Sequence, residues 1–189
     1  MAKRVLGFNE PDKLKQSNTD PVTACDRWPL LESLNVSLVS PSCAKADSEW
    51  MENFMNDSIA KCHRVDWIGV HWYGSSNFES FAAKMRRIYE LHQRPILITE
   101  FAPADYNALT VQENRHSPAE VLNFMKQALP WLEAQDWVAG YAWFSFPIDK
   151  PVGTSSALFD ANGNLTACGR FYASVRTDNP YGDQSIQVD

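Results

Sequence analysis

Two glutamates stand where reaction chemistry would need them. Glu10 closes the short run "LGFNE" with Pro11 directly behind it, and Glu100 sits near the end of "ILITEF". One carboxylic acid can protonate a leaving oxygen while a carboxylate attacks carbon, so a glutamate pair suits acid/base and nucleophilic work. Retaining glycoside cleavage needs such a pair at about 5 to 5.5 Å, one member protonated and the other ionised. A lone glutamate at a strand end has a plainer use, pairing with a surface lysine; two in these contexts favour the chemical use. His71 and Tyr73 flank Trp72 in "WIGVHWY". Side chains alternate along a strand, so His71 and Tyr73 share a face, and Tyr73 is placed to orient Glu100 by a hydrogen bond. Trp72 then points the other way, into helix packing, and Trp50, Trp131 and Trp137 fit helix or loop packing as well. Pro11 cannot continue a ladder and biases Glu10 towards an extended backbone.

The elements that must position these residues are legible in the hydrophobic pattern. Five apolar runs read as strands covered on both faces: Val5 to Asn9, Val36 to Ser40, Trp67 to Tyr73, Pro95 to Phe101 and Val138 to Phe144. Between them, Trp28, Leu31 and Leu34 share a helical face, as do Trp50, Phe54, Met55, Ile59 and Cys62, and then Phe78, Phe81, Met85, Ile88 and Leu91. Ser117, Pro118 and Glu120 form a capping box with proline at the first helical position, ahead of Val121, Leu122, Met125 and Leu129. A short last helix is expected over 165–175. Strand alternating with helix calls for right-handed crossovers and a parallel sheet.

The polar residues closing the five runs are Glu10, Ser40, His71, Glu100 and Ser145, separated by 30, 31, 29 and 45 residues. A (β/α)8 barrel of about 250 residues has roughly 30 residues per unit and builds its active site at the C-terminal strand ends. The expected fold is therefore α/β of the TIM-barrel type, here with five parallel strands corresponding to units 4 to 8, the first three being absent. Residues 1–176 form the catalytic domain in this reading, and 177–189 a polar tail.

Composition narrows the partners. The 189 residues carry a formal charge of -6, and Lys84, Arg86 and Arg87 are the only basic cluster, so nucleic acid and anionic membrane surfaces are not expected ligands. No apolar run approaches the roughly 18 residues of a spanning helix, and "MAKR" leads into a strand rather than an export signal. Cys25, Cys43, Cys62 and Cys168 show no CxxC pair, and no histidine lies at a zinc-like spacing. No metal or cofactor is expected; free thiols and a disulfide both remain open.

Asn9-Glu10-Pro11 and Thr99-Glu100-Phe101 resemble the acid/base and nucleophile motifs of the large glycosidase clan built on (β/α)8 barrels, which carries them at the ends of the fourth and seventh strands. More narrowly, "LGFNEPD", Ser40-Pro41, "VDWIGVHWYG", "PILITEFA" and "GYAWF" occur in order from Leu6 to Phe144, and they resemble glycoside hydrolase family 128, the endo-β-1,3-glucanases. The resemblance implies Glu10 as acid/base and Glu100 as nucleophile. It further implies that Asn9 donates to the sugar 2-hydroxyl, that His71 and Tyr73 line the substrate, and that Trp143 forms the platform beneath the sugar. β-1,3-glucan or its oligosaccharides would be the ligand, and secretion or cell-wall association the setting. Two other readings use the same residues: a non-catalytic glucan-binding remnant, or a glycosidase for another β-linked glucan.

Overall fold

The computed structural model describes residues 3–175, so the polar tail expected over 177–189 lies outside the described residues. The five strands are β1 (Arg4–Leu6), β2 (Ser37–Val39), β3 (Ile68–Gly74), β4 (Ile96–Pro103) and β5 (Val138–Trp143). Five α-helices alternate with and follow them: α1 (Pro21–Glu32), α2 (Glu49–Ala60), α3 (Phe78–His92), α4 (Pro118–Glu133) and α5 (Ala167–Ser174). All five expected strands form, in an α/β fold of the TIM-barrel type with parallel strands. Among the described residues no helix is long and apolar enough to cross a membrane.

The described residues divide into two compact units, one comprising 3–72 and 86–99, the other 73–85 and 100–175. In the first, β1 pairs with β2 in parallel register, Val5 opposite Leu38, and single parallel bridges continue the pattern at Asn9–Ser42, Val39–Trp67 and Cys43–Val70. β1 and β2 are shorter than expected because beyond Leu6 and Val39 only isolated bridges persist. Gly7 belongs at this crossing, since a Cβ there would lie 2.8 Å from the Pro41 backbone nitrogen. Ser40 is buried and pins β2 to β3, its hydroxyl accepting from the Gly69 N–H at 2.9 Å. Trp28 on α1 meets Phe54 on α2 edge to face, centroids 5.0 Å apart, and its indole N–H donates to the Arg64 carbonyl. The two rings thus join helix to helix and helix to loop.

Asp20 caps α1 by accepting from the Thr23 N–H, with Pro21 at the first helical position. α2 stops at Ala60, because Cys62 adopts a left-handed φ of 59° and His63 N–H closes back onto the Ser58 carbonyl at 2.8 Å. The expected buried face is corrected at its end: Cys62, beyond the helix, is exposed, and so is Ile59 within the last turn. Leu34 is likewise exposed, because α1 has already ended at Glu32. All four cysteines are free thiols, three of them buried. Burial raises the Cys168 thiol to about 11 and pushes Cys43 higher still, with the Asp12 and Glu10 carboxylates adding to the effect.

The second unit is built on stacked aromatics. Phe81 of α3 lies parallel to Phe101 of β4 at 5.5 Å and edge-on to Phe124 of α4 at 5.4 Å. The capping box of α4 forms as the sequence suggests, Ser117 accepting from Glu120 N–H and the Glu120 carboxylate from Ser117 N–H. Those bonds hold the Glu120 carboxyl below the usual carboxylate range. After β5, Ser145 accepts from the Leu158 N–H at 3.0 Å, and a bridge between Phe159 and Leu165 closes a turn ahead of α5. Ser40 and Ser145 are therefore joints between segments rather than polar groups presented for chemistry.

Candidate active site

Glu10 emerges from the turn that follows β1. Its N–H donates to the Ser42 carbonyl at 2.8 Å, extending the Asn9–Ser42 bridge, while its own carbonyl accepts from Lys13 N–H at 3.0 Å. The chain must leave the ladder and reverse within three residues, and Glu10 does so with φ at 38°. The extended conformation expected from Pro11 does not form; two backbone bonds outweigh the preference of a residue before proline. For a side chain with a Cβ, this left-handed backbone costs about 1–2 kcal/mol, a kind of strain that concentrates at functional sites.

The carboxylate so placed is 14% exposed and meets His71 Nδ1 at 3.0 Å through Oε1, the imidazole itself being 2% exposed. Both groups have metal-ligand chemistry, and each spends one atom on the other. Asn9 is exposed beside them; its side-chain amide donates to Gln16 at 3.3 Å, and its carbonyl accepts from the Ser17 hydroxyl at 2.7 Å. Thr99, next to Glu100 in sequence, donates to the Ser42 hydroxyl at 3.0 Å, tying the end of this segment of β4 to the turn that receives Glu10.

Glu100 belongs to the second unit. The Tyr73 hydroxyl donates to Glu100 Oε2 at 2.6 Å, a charge-assisted bond if the carboxylate is ionised. The Tyr73 ring is fixed in turn by edge contacts with Phe144 at 5.5 Å, Phe146 at 5.8 Å and Tyr106 at 6.3 Å. Tyr106 is 65% exposed and rides on the loop after β4. That loop is anchored, because Asp105 N–H donates to the Val152 carbonyl and the Asp105 carboxylate accepts from the N–H groups of Arg115 and Asn107. The Arg115 N–H first, then that of Asn107, keeps the Asp105 carboxyl below its ordinary range against the opposing effect of burial.

Trp143 lies elsewhere. Its indole is edge-on to Phe101 at 5.1 Å and tilted against Phe124 of α4 at 6.2 Å, its N–H donates to the Ser156 carbonyl, and the residue is 7% exposed. Strand alternation explains the correction. Trp143 shares the helix side with Phe101, whereas the next residue, Phe144, turns towards Tyr73 and is 38% exposed. A platform role for Trp143 would need an aromatic face that α4 and β4 already cover.

Of the residues singled out in the sequence, the structure brings Glu10 onto His71 and Glu100 onto Tyr73; Tyr106, Phe144 and Phe146, which surround the Tyr73 ring, were not among them.

The glycosyl hydrolase catalytic core family model matches residues 1–172. A glutamate-to-alanine mutant of the Amycolatopsis mediterranei family 128 (subgroup I) endo-β-1,3-glucanase, solved in complex with laminaripentaose, is similar with a TM-score of 0.81 and 28% identity, over 93% of this chain and 73% of that one. The same enzyme in complex with laminaritriose is 30% identical over 90% of this chain and 71% of that one, TM-score 0.78. The family 128 (subgroup VI) exo-β-1,3-glucanase of Aureobasidium namibiae is 26% identical over 92% and 68%, TM-score 0.75. No curated protein sequence matches the chain. With the family model spanning nearly every described residue, the chain belongs to the glycosyl hydrolase catalytic core family and is a glycoside hydrolase with the fold of the family 128 β-1,3-glucanases.

Proposed function

We propose that the chain hydrolyses β-1,3-glucan as a retaining endo-glycosidase, with Glu10 as acid/base and Glu100 as nucleophile. The observation that carries this reading is on β3: His71 and Tyr73, two residues apart on one strand, each hold one of the two glutamates. In the first step Glu10 gives its proton to the glycosidic oxygen as the C1–O bond breaks, and a Glu100 oxygen bonds to C1. In the second, Glu10 takes a proton from water, the water oxygen bonds to C1, and Glu100 leaves as carboxylate. The anomeric configuration is inverted twice and so retained. Asn9 donates to the 2-hydroxyl in this scheme. His71 sets the carboxylate plane of Glu10, and Tyr73 that of Glu100.

The laminari-oligosaccharides bound by the Amycolatopsis relative support the substrate class, and the polymer's place in walls and outside cells puts the working protein there. Proton NMR during hydrolysis of a soluble β-1,3-glucan tests the reading: the β-anomer appears first, with the α-anomer following only by mutarotation. Early α-anomer would overturn retention. A change of product lengths from mixed oligosaccharides to a single short sugar would overturn the endo assignment, leaving the exo activity described for the Aureobasidium relative.

Tyr73→Phe keeps the ring that meets Phe144, Phe146 and Tyr106 and deletes the 2.6 Å bond to Glu100. A hydrogen bond to a charged group contributes about 1.5–3 kcal/mol, so kcat falls roughly tenfold to a hundredfold with KM little changed. An unaltered kcat would remove Tyr73 from the site.

A further inference from the structure

The loop after β4 brings Tyr106 to the Tyr73 ring and then returns to α4 through a buried histidine, His116, for which the proposed chemistry has no use. Arg115 Nε–H donates to His116 Nε2 at 3.2 Å, the Ser76 hydroxyl lies 3.4 Å from Nδ1, and the Ala104 carbonyl also faces the ring. A guanidinium can only donate. Nε2 therefore holds a lone pair, and the ring is neutral with its proton on Nδ1. The backbone here is pinned, because His116 N–H donates to Asn114 Oδ1 at 2.8 Å and the His116 carbonyl accepts from the Ser155 hydroxyl.

A proton added at Nε2 would set two N–H groups facing each other and two cations side by side. Asp105 answers to both cations: its Oδ1 is 3.9 Å from Arg115 Nε, and its charge favours a proton on His116. The same Oδ1 accepts from the Asn107 N–H at 3.1 Å. Tyr106 lies between Asp105 and Asn107, so the turn that presents its ring hangs on the oxygen for which the two cations would compete.

Burial first, and then Arg115, lower His116 below the ordinary histidine value, while Asp105 and Glu120 of α4 pull the other way. Ser76 after β3 and Ser155 after β5 bring neutral hydroxyls. The hold of the neutral ring is thus fully present above the ordinary value and is lost as pH falls through the lowered one. Asp105, itself held below the usual carboxylate range, keeps its charge to more acid pH than an ordinary aspartate.

We propose that His116 is a positioning residue, a proton-sensitive tether that seats Tyr106 against Tyr73 while neutral and unseats it when protonated. Tyr73 holds Glu100, so a proton on His116 slows turnover without touching either carboxylate. The effect on turnover rests on the glucanase reading; the titration of the loop does not.

The test follows the histidine and tyrosine ring signals of the full chain by NMR from about pH 7.5 to about pH 4.5. The Tyr106 and Tyr73 rings show a step with the midpoint of the His116 ring. His116→Gln offers Arg115 an amide oxygen and Ser76 an amide N–H but takes no proton, and in it that step disappears from both tyrosines. Tyr106→Ala, at a position 65% exposed, leaves His116 titrating while Tyr73 no longer follows. In hydrolysis of a soluble β-1,3-glucan, each protein is compared with its own rate at about pH 7. By about pH 4.5 the parent has lost about threefold more of that rate than His116→Gln has. Protonation of Glu100 slows both alike and cancels from the comparison. A His116 ring that stays neutral throughout, tyrosine signals that ignore it, or equal acid losses in parent and variant overturn the proposal. Failure of the glucanase reading shows separately, as no hydrolysis by the parent chain at any pH, and the NMR titration then decides the tether by itself.

Discussion

Glu100→Gln lowers hydrolysis of β-1,3-glucan by on the order of 10⁴-fold or more. The substitution is nearly isosteric, and its amide oxygen still accepts from the Tyr73 hydroxyl that now lies 2.6 Å from Oε2. Tyr73 therefore remains seated among Phe144, Phe146 and Tyr106, and the fold and oligosaccharide binding persist. What is lost is the negative charge and the lone pair that would bond to the anomeric carbon. With an activated 2-deoxy-2-fluoro glycoside, mass spectrometry of the parent chain shows a covalent adduct, peptide mapping puts it on Glu100, and the variant shows none. An adduct on any other residue, or hydrolysis by the variant within tenfold of the parent, would sink the nucleophile assignment.

How much of this was legible in the sequence follows from what each signal measures. Apolar runs of five to seven residues revealed all five strands because buried parallel strands must be hydrophobic on both faces. Helix ends were less visible. The reversals at Cys62 and Asn35 use left-handed residues that are not glycine, so the usual punctuation is missing and the apolar pattern ran on into exposed Cys62 and Leu34. The two glutamates stood out through their flanking residues and the regular interval between units. Ser40 and Ser145 stood out equally and proved to be joints, because a serine at a strand end serves a neighbouring N–H as readily as a ligand. Trp143 was misplaced by one position of alternation. The resemblance implied the tryptophan as a platform, whereas in the structure Trp143 packs against Phe101 and Phe124 on the helix side and Phe144 faces Tyr73.

Glu10 is the residue at which local preference and function pull apart, and the largest remaining effect is expected there. Its φ of 38° is a conformation glycine adopts freely and a glutamate does not. Glu10→Gly therefore relieves about 1 kcal/mol of backbone strain while deleting the carboxylate that meets His71. Glu10→Ala keeps the strain and loses the same contact, so thermal unfolding finds the glycine variant the more stable of the two. Both lose about 10³-fold or more on glucan, whose leaving group needs a proton. An aryl glycoside with a good leaving group needs none, and with it both variants show a rapid burst of phenol followed by slow turnover, because no base now activates water for the second step. Azide, which requires no deprotonation, restores turnover by bonding directly to C1. Attack on a Glu100-linked intermediate places the azide on the β face, so β-glycosyl azide identifies Glu10 as the acid/base, whereas α-azide or no rescue removes it from that role. A glycine variant less stable than the alanine would show that the left-handed backbone at Glu10 carries no cost. Taken together, higher stability with lost first-step proton transfer would mean that the fold accepts a strained turn in order to hold a carboxylate against His71.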